Sequence, residues 1–259
     1  MGVKMSKPPI FYIIGQVKFS PVLDMGKYVP KIQEELRKDF PRFKEGSINA
    51  FQLQIDAGTP RPSFTQTPRW QFTRPDNMSG FLLGADNLTF HTTAYDTFEP
   101  FLECIMRGLD VVNRAASLGI VESTAIRTLD AVVPEPGTKV QKYLKAEACG
   151  LSEDFGGELR QSTVECVRDF PPDGALISRI AIVNGSLGIP MDLFPLALEL
   201  KHEFKNLNTW HALVDNDRQH KGNFAFDIQK IRTSLSEVKK GVSEAFYHSV
   251  SDFAIERWR

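Results

Sequence analysis

A pattern in which an alternating strand precedes a long amphipathic helix occurs twice in this chain, and it constrains the fold more than any other feature. Residues 87–95 alternate apolar and polar side chains and precede a helical pattern at about residues 97–116. Residues 209–215 alternate similarly and, after a polar segment, precede a helical pattern at about residues 227–258. Alternation places successive side chains on opposite faces of a strand, whereas spacings of three and four place them on one face of a helix. The pattern therefore predicts strands covered by helices.

The segments around each strand and helix predict two similar halves. Each half is predicted as β-α-β-β-β-β-α, with its helices over one face of a largely antiparallel sheet. The predicted fold class is therefore α+β, with two similar lobes and a long C-terminal helix. We place the lobes at residues 1–118 and 119–259, because Gly119 follows the first long helical pattern and precedes a long predicted strand at residues 120–133.

The last helical pattern is the most regular in the chain. Its apolar side chains recur at three and four residues from Ile228 to Phe253. At about 1.5 Å per residue a helix of this length would span roughly 45 Å, longer than one lobe needs. Gly241 weakens its middle and predicts a kink there. The extra length predicts that this helix clamps both lobes or mediates self-association with a second chain.

Smaller elements complete the predicted pattern. A first helix is expected where Val29, Ile32, Leu36 and Phe40 share one stripe, and it ends at Pro41. A short helix is expected at residues 139–148. Further strands are expected at residues 161–167, 176–183 and 196–200, whereas residues 215–222 are expected to form a solvated loop at the end of the last strand.

Composition limits the classes of partner. The net charge is −1, from 31 basic and 32 acidic residues, so binding to nucleic acid is possible but is not indicated by a basic excess. No stretch approaches the roughly 18 uninterrupted apolar residues of a membrane span, and no secretory signal is recognisable. The three cysteines form no C-x-x-C pair, which suits a reducing compartment. A cytoplasmic protein without membrane contact is expected.

The candidates for catalysis are His211, Asp215, Asp217 and His220, which lie at or after the last predicted strand. Imidazole and carboxylate groups perform general acid–base catalysis when they converge in one cleft. The segment from Asp215 is similar to a calcium loop, but His220 and Phe226 occupy the positions where an EF-hand needs glycine and glutamate. No metal site is therefore predicted.

A candidate binding surface combines basic and aromatic side chains at Arg69, Trp70 and Arg74. Such a combination can stack on and neutralise single-stranded nucleic acid, although cation–π contacts or packing explain it equally well. Glycine-rich phosphate loops are absent from the sequence, and no cofactor is predicted.

Several short segments resemble a sporadically distributed bacterial family of uncharacterised proteins of about this length. They are Pro8-Pro9-Ile10 with Gln16-Val17-Lys18-Phe19, Arg69-Trp70-Gln71-Phe72, and Leu213-Val214-Asp215-Asn216-Asp217 before the final helix. The resemblance implies no catalytic residues and no established activity. The patchy distribution of the family implies an association with mobile anti-phage defence or toxin–antitoxin genes.

The predicted function is therefore that of a non-catalytic bacterial binding protein, acting as an adaptor, sensor or inhibitor in a defence or toxin–antitoxin module. It would engage a protein partner or a second copy of itself. Two alternatives remain open. One is a hydrolase or nuclease that uses the four His and Asp candidates, and the other is a protein that binds single-stranded nucleic acid across an open sheet.

Overall fold

The computed structural model describes residues 5–56, 59–171, 174–193 and 198–259, without the side chains of residues 48–65 and of Glu153. The strands are β1 (Ile10–Phe19), β2 (Arg42–Asp56), β3 (Thr59–Thr73), β4 (Ser79–Leu83), β5 (Asn87–Thr92), β6 (Ile120–Val132), β7 (Ser162–Phe170), β8 (Gly174–Ser186) and β9 (Asn208–Ala225). The helices are α1 (Val29–Leu36), α2 (Phe98–Ala116), α3 (His202–Lys205), α4 (Ile228–Ser249) and α5 (Asp252–Trp258). The fold class is α+β, as predicted.

The strands form one antiparallel sheet in the order β2-β3-β4-β5-β1-β6-β9-β8-β7. Its centre is the pairing of β1 with β6, in which Ile14 lies opposite Arg127. Counted outward from this central pairing, the strands on one side are β1, β5, β4 and β3, and those on the other side are β6, β9, β8 and β7. The two series occupy corresponding positions in the sheet. Strands from both halves of the chain therefore share a single sheet, and a division into two lobes stays a prediction.

Helices α1, α2 and α4 pack on one face of this sheet, which we call the helix face. The main core lies there and includes Ile13 and Val17 from β1, Ile105 from α2, and Leu235 from α4. A Cβ added to Gly15 would lie 2.4 Å from Cδ1 of Ile105, so only glycine permits this close approach of β1 to α2. The opposite face is called the outer face.

The predicted boundaries agree with the structure where periodicity was strong. The helix predicted at residues 97–116 is α2, and the strand predicted at residues 120–133 is β6. The first helix begins at Val29 as predicted but ends at Leu36, with turns leading to the buried Phe40. Apolar side chains at helical spacing identified these elements because the same side chains form the core.

The continuous C-terminal helix predicted from residue 227 to residue 258 is not observed. Helix α4 spans 22 residues, about 33 Å, and ends at Ser249. Val250 adopts an extended conformation and pairs with Leu144, and the side chain of Ser251 then caps α5 by accepting a hydrogen bond from the N–H of Ala254. Tertiary pairing and a new N-cap interrupt the helix although the apolar spacing continues.

The polar segment at residues 215–222 is part of β9 and not a loop. It pairs with β6 on one side and with β8 on the other, so its backbone groups are satisfied by two neighbours. The short helix predicted at residues 139–148 is instead two 3-10 turns, Val140–Tyr143 and Ala146–Ala148. Of the strand predicted at residues 196–200, residues 196 and 197 lie outside the described residues and residues 198–200 are not in a strand.

The segment that follows β8 covers part of the outer face. Leu198 is buried there with Phe11 of β1 and Leu129 of β6, and the ring of Phe204 lies 5.4 Å from that of Phe11. The hydroxyl of Thr93 donates a hydrogen bond of 2.5 Å to the carbonyl oxygen of Glu199. This covering segment forms a second, smaller core.

Candidate ligand-binding cleft

A cleft of about 270 Å³ opens on the helix face, between the beginning of α2 and the second half of α4. Its floor is β6, and the segment before β1 forms one wall. The cleft is lined by Met5, Pro8, Pro9, Ile10, Tyr95, Asp96, Thr97, Phe98, Thr128, Asp130, Lys239, Val242, Ser243, Phe246 and Tyr247. Concave sites with apolar walls and a few polar groups are the usual form of small-molecule sites.

Strand alternation places a carboxylic acid on the floor of this cleft. Thr128 and Asp130 point to the helix face. Their neighbours in the strand, Arg127 and Leu129, point to the outer face. Asp130 is only 5% exposed. A carboxyl group in such a position is costly to ionise unless a partner compensates it.

Helix periodicity brings a lysine to the same cleft. The stripe of α4 that packs on the sheet includes Leu235, Val238 and Val242, and Lys239 lies at its border. The ammonium of Lys239 donates a hydrogen bond of 2.6 Å to the hydroxyl of Ser243, one turn later. The cleft therefore contains an acidic and a basic group that come from distant parts of the chain.

Burial shifts the pKa values of Asp130 and Lys239 in the directions that favour their neutral forms. It raises the pKa of Asp130 to about 7, against the opposing effects of the Lys239 charge and of a hydrogen bond from Thr128. It lowers the pKa of Lys239, and the charge of Asp130 opposes that shift. Perturbed pairs of this kind in a cleft are typical of functional sites.

Aromatic side chains form the apolar walls. Tyr95 and Phe98 lie at the beginning of α2, and the ring of Phe101 behind them is 6.0 Å from Tyr95 and 6.4 Å from Phe98. On the α4 side, the ring of Phe246 lies 5.9 Å from that of Trp258. The walls are thus held by a second layer of rings.

Backbone hydrogen bonds fix the wall formed by the segment before β1. The N–H of Ser6 donates to the carbonyl oxygen of Trp258 at 2.7 Å, and the carbonyl oxygen of Pro9 accepts from the N–H of Ala131 at 2.8 Å. Pro8 and Pro9 have no N–H to satisfy. This wall is therefore tied to α5 and to the floor.

The four candidates proposed for catalysis do not converge on one point. Asp215 and Asp217 lie together on the outer face, where Asp215 is buried and burial raises the pKa of Asp217. His220 lies on the helix face, with its Nδ1 2.9 Å from the hydroxyl of Ser234. His211 is buried near the beginning of β9, with its Nδ1 2.9 Å from the carbonyl oxygen of Thr209.

Asp215 belongs to a closed ion pair. Arg127 donates two hydrogen bonds to its carboxylate, from Nε at 2.8 Å and from Nη2 at 2.7 Å. Arg127 also pairs with Asp192 of the covering segment, and Arg179 lies 3.7 Å from Asp215. Burial alone would lower the pKa of Arg127, but the hydrogen bonds to the two aspartates together raise it. This cluster holds the covering segment on the sheet.

The proposed basic and aromatic surface is divided between the faces of the sheet. Trp70 is buried in the main core and donates a hydrogen bond of 3.2 Å to Glu45. Arg69, its neighbour in β3, is half-buried, and strand alternation turns it toward the other face. Arg74 follows the strand, is exposed, and lies 5.4 Å from the centre of the Phe40 ring.

The sequence contained one signal for the cleft that periodicity alone did not reveal. Asp130 is the only acid in the apolar run of residues 128–133, at a position that alternation assigns to the same face as Ile126. An ionisable side chain on a core face is a signal of function. Its pairing with Lys239 depends on the packing of α4 and could not be obtained from either segment.

The sequence matches no protein-family model, and it shows no significant similarity to a curated protein. Across the described ranges, no helix combines the length and the apolar character needed to cross a membrane. In the same part of the chain, no three His, Cys, Asp or Glu side chains are grouped as metal ligands. The resemblance to a sporadic bacterial family stays a prediction.

Proposed function

We propose that this is a cytoplasmic binding protein that takes a small ligand into the cleft between α2 and α4. The observation that carries the proposal is the convergence of the buried Asp130 and the half-buried Lys239 on an aromatic-lined concavity. Of the adaptor, sensor and inhibitor roles, a sensor suits this geometry best. Its volume lies near the lower end of drug-sized pockets, about 300–1,000 Å³, so the ligand is small.

The position of the cleft supports a role in coupling the two proposed lobes. Tyr95 and Phe98 belong to residues 1–118, whereas Asp130 and Lys239 belong to residues 119–259. A ligand in the cleft would contact residues of both proposed lobes and stabilise the arrangement of one lobe against the other. Binding of a ligand only to the folded state raises stability by about 2.7 kcal/mol at a hundredfold excess over Kd.

Association with a protein partner is part of the proposal, but the apolar stripe of α4 is used within the chain. Ile231, Leu235, Val238 and Val242 are all buried in the main core. Self-association through the C-terminal helix would therefore use its outward side, where Glu237, Lys240 and Glu244 are exposed. The defence or toxin–antitoxin context and the hydrolase, nuclease and nucleic-acid alternatives stay predictions.

The test is a thermal-shift screen of small metabolites against three forms of the full chain. Ser243→Trp places an indole in the cleft, whereas the control Ser236→Trp places one on an exposed part of the same helix. We expect compounds that raise the Tm of the wild type and of S236W but not of S243W. Circular dichroism checks that all three forms are folded. Hits that stabilise S243W as strongly as the wild type would contradict the proposal.

A further inference from the structure

The cleft holds charges of both signs, and this limits the ligands that it can accept. Asp130 and Asp96 supply carboxyl groups and Lys239 supplies an ammonium at the same cleft. A ligand with a single charge would compensate one of them and displace water from the other. An uncompensated charge in an apolar site is strongly unfavourable. A ligand with one group of each sign satisfies both.

The hydrogen-bonding capacity of the two groups is incompletely used. An ammonium has three donors, and within the described contacts Lys239 directs one of them to Ser243. A carboxylate has two oxygens with about four acceptor sites, and for Asp130 the described contacts include a hydrogen bond from Thr128. Donors and acceptors therefore remain for a ligand on both sides.

The beginning of α2 brings a helix N-terminus and an acidic residue, Asp96, to the border of the cleft. Thr97 is its N-cap residue and lines the cleft, and its hydroxyl makes no capping hydrogen bond. The first N–H groups of a helix carry a partial positive charge that favours anions. Because Asp96 already lies at the N-terminus of α2, Lys239 provides the site for a carboxylate, and Asp130 provides the site for an ammonium.

The remaining lining defines the body of the ligand. Tyr95, Phe98, Val242 and Phe246 present rings and methyl groups, and the prolines before β1 close the opposite side. A volume of about 270 Å³ accommodates one small molecule with an apolar side chain. Larger ligands such as dinucleotides need the wider pockets typical of drug-sized and cofactor sites.

We infer that the cleft binds a small zwitterion with an apolar body, of the class of free α-amino acids with apolar side chains. Its ammonium would contact Asp130 and its carboxylate would contact Lys239. This inference rests on the proposed function, because it specifies the ligand class of the same cleft.

The first experiment compares probes that share one body and differ in charge. Isothermal titration of the full chain uses L-phenylalanine, 2-phenylethylamine, which lacks the carboxylate, and 3-phenylpropanoate, which lacks the ammonium. We expect L-phenylalanine to bind at least tenfold more tightly than either singly charged probe, and L-leucine to bind as well. Equal or tighter binding of a singly charged probe, or failure of both amino acids to bind, would overturn the inference.

The second experiment assigns each charge to its residue. Asp130→Asn should abolish the advantage of L-phenylalanine over 3-phenylpropanoate, and Lys239→Met should abolish its advantage over 2-phenylethylamine. Lys240→Met is the matched control, because Lys240 is the next residue of α4 and its side chain is 79% exposed. The control should bind all three probes like the wild type. Both advantages surviving in the cleft variants would overturn the inference.

The S243W variant separates binding in the cleft from the class of ligand that binds there. If the metabolite screen yields ligands that S243W loses but no zwitterion is among them, the binding cleft stands and the ligand class is wrong. If L-phenylalanine binds but S243W retains its affinity, the amino acid occupies another place and this inference is wrong, whereas the metabolite screen decides the proposed function. The comparison of probes on the wild type needs no substitution, so a variant that misfolds does not prevent the test.

Discussion

Two pairs of opposite charge lie on opposite faces of the same strand, β6, and they are built differently. On the outer face, Arg127 and Asp215 form two parallel hydrogen bonds, and Asp192 adds a third partner from the covering segment. On the helix face, Asp130 and Lys239 border a cleft, and burial shifts both of their pKa values toward the neutral forms. The first pair is complete, whereas the second has unused bonding capacity.

The difference shows how a buried charge can serve structure or binding. A planar guanidinium matches a carboxylate with two bonds and leaves little for a ligand. A lysine offers three rotatable donors from a flexible stem and changes its pKa readily when buried. Arg127 and Asp130, three positions apart in β6, therefore have different roles because of their partners, although both are buried.

The largest expected effect tests the closed pair. Asp215→Asn leaves the guanidinium of Arg127 buried with a neutral partner, and we expect a loss of about 3–5 kcal/mol in the free energy of unfolding. Urea denaturation measures it. The control Asp192→Asn should cost less than about 1 kcal/mol, because 64% of that side chain is exposed. Equal losses in the two variants would show that the pair is not the structural element that we describe.

The next effect tests the open pair through pH. The pKa of Asp130 in the folded chain, about 7, lies above its ordinary value, so the folded state holds a proton that the unfolded state releases first. This contribution to stability is fully present below the ordinary carboxyl pKa and is lost as pH rises through 7. Relative to Asp130→Asn, the wild type should therefore lose on the order of 2–4 kcal/mol between pH 4 and pH 8.

Urea denaturation of both forms at a series of pH values measures this difference directly. Comparison with the variant removes the contribution of His91, whose buried imidazole has a pKa lowered to about 3, mainly by burial, and acts in the opposite direction. That group supplies stability above its ordinary pKa, and the stability is lost as pH falls toward 3. If the free energies of unfolding of the wild type and D130N changed with pH in parallel, the proposed difference between the two pairs would be wrong.

A smaller effect concerns a neutral buried pair on the outer face. The hydroxyl of Tyr12 lies 2.6 Å from Nδ1 of His91. Tyr12→Phe leaves that nitrogen buried without its partner, and we expect a loss of about 1–3 kcal/mol. Thermal and urea unfolding measure it. A loss as large as that of D215N would mean that charge is not what separates the closed pair from its neighbours.

The smallest effect concerns an ion pair between α2 and α4 at the surface. Arg232 donates hydrogen bonds to both oxygens of Glu103, at 2.7 and 3.1 Å, and half of the Glu103 side chain is exposed. Water screens such pairs, so Arg232→Ala should lower stability by less than about 1 kcal/mol. The affinity of the R232A variant for cleft ligands, measured by isothermal titration, should equal that of the wild type. A large loss of stability would show that solvent exposure does not determine how much an ion pair contributes to the free energy of unfolding.

Periodicity predicted the elements whose side chains form the core. The stripes of α1 and α2 were identified because Ile32 and Leu102 are buried where the pattern placed them. Periodicity failed where partners distant in sequence decide the structure. Residues 215–222 are polar but are held in β9 by two neighbouring strands, and the last helix ends where Val250 pairs with Leu144.

The candidate cleft could be predicted even less. The sequence indicated His211, Asp215, Asp217 and His220 because such side chains are chemically versatile, but alternation along β9 sends His220 to the face opposite Asp215 and Asp217. Asp130 and Lys239 line the same cleft only because α4 packs across β6. No local sequence pattern predicts the placement of α4 on β6, since it depends on the packing of whole elements.

The pairing of β1 with β6 has a consequence for synthesis of the chain. Strand β1 is made first and finds β5 within the first half, but its other side stays unpaired until β6 has emerged. The strand Ile10–Phe19 is rich in β-branched and aromatic residues, and an unpaired edge of this kind readily recruits other strands. The nascent chain therefore passes through a stage at risk of aggregation, and the central seam that later joins the sheet is the surface that needs protection during that interval.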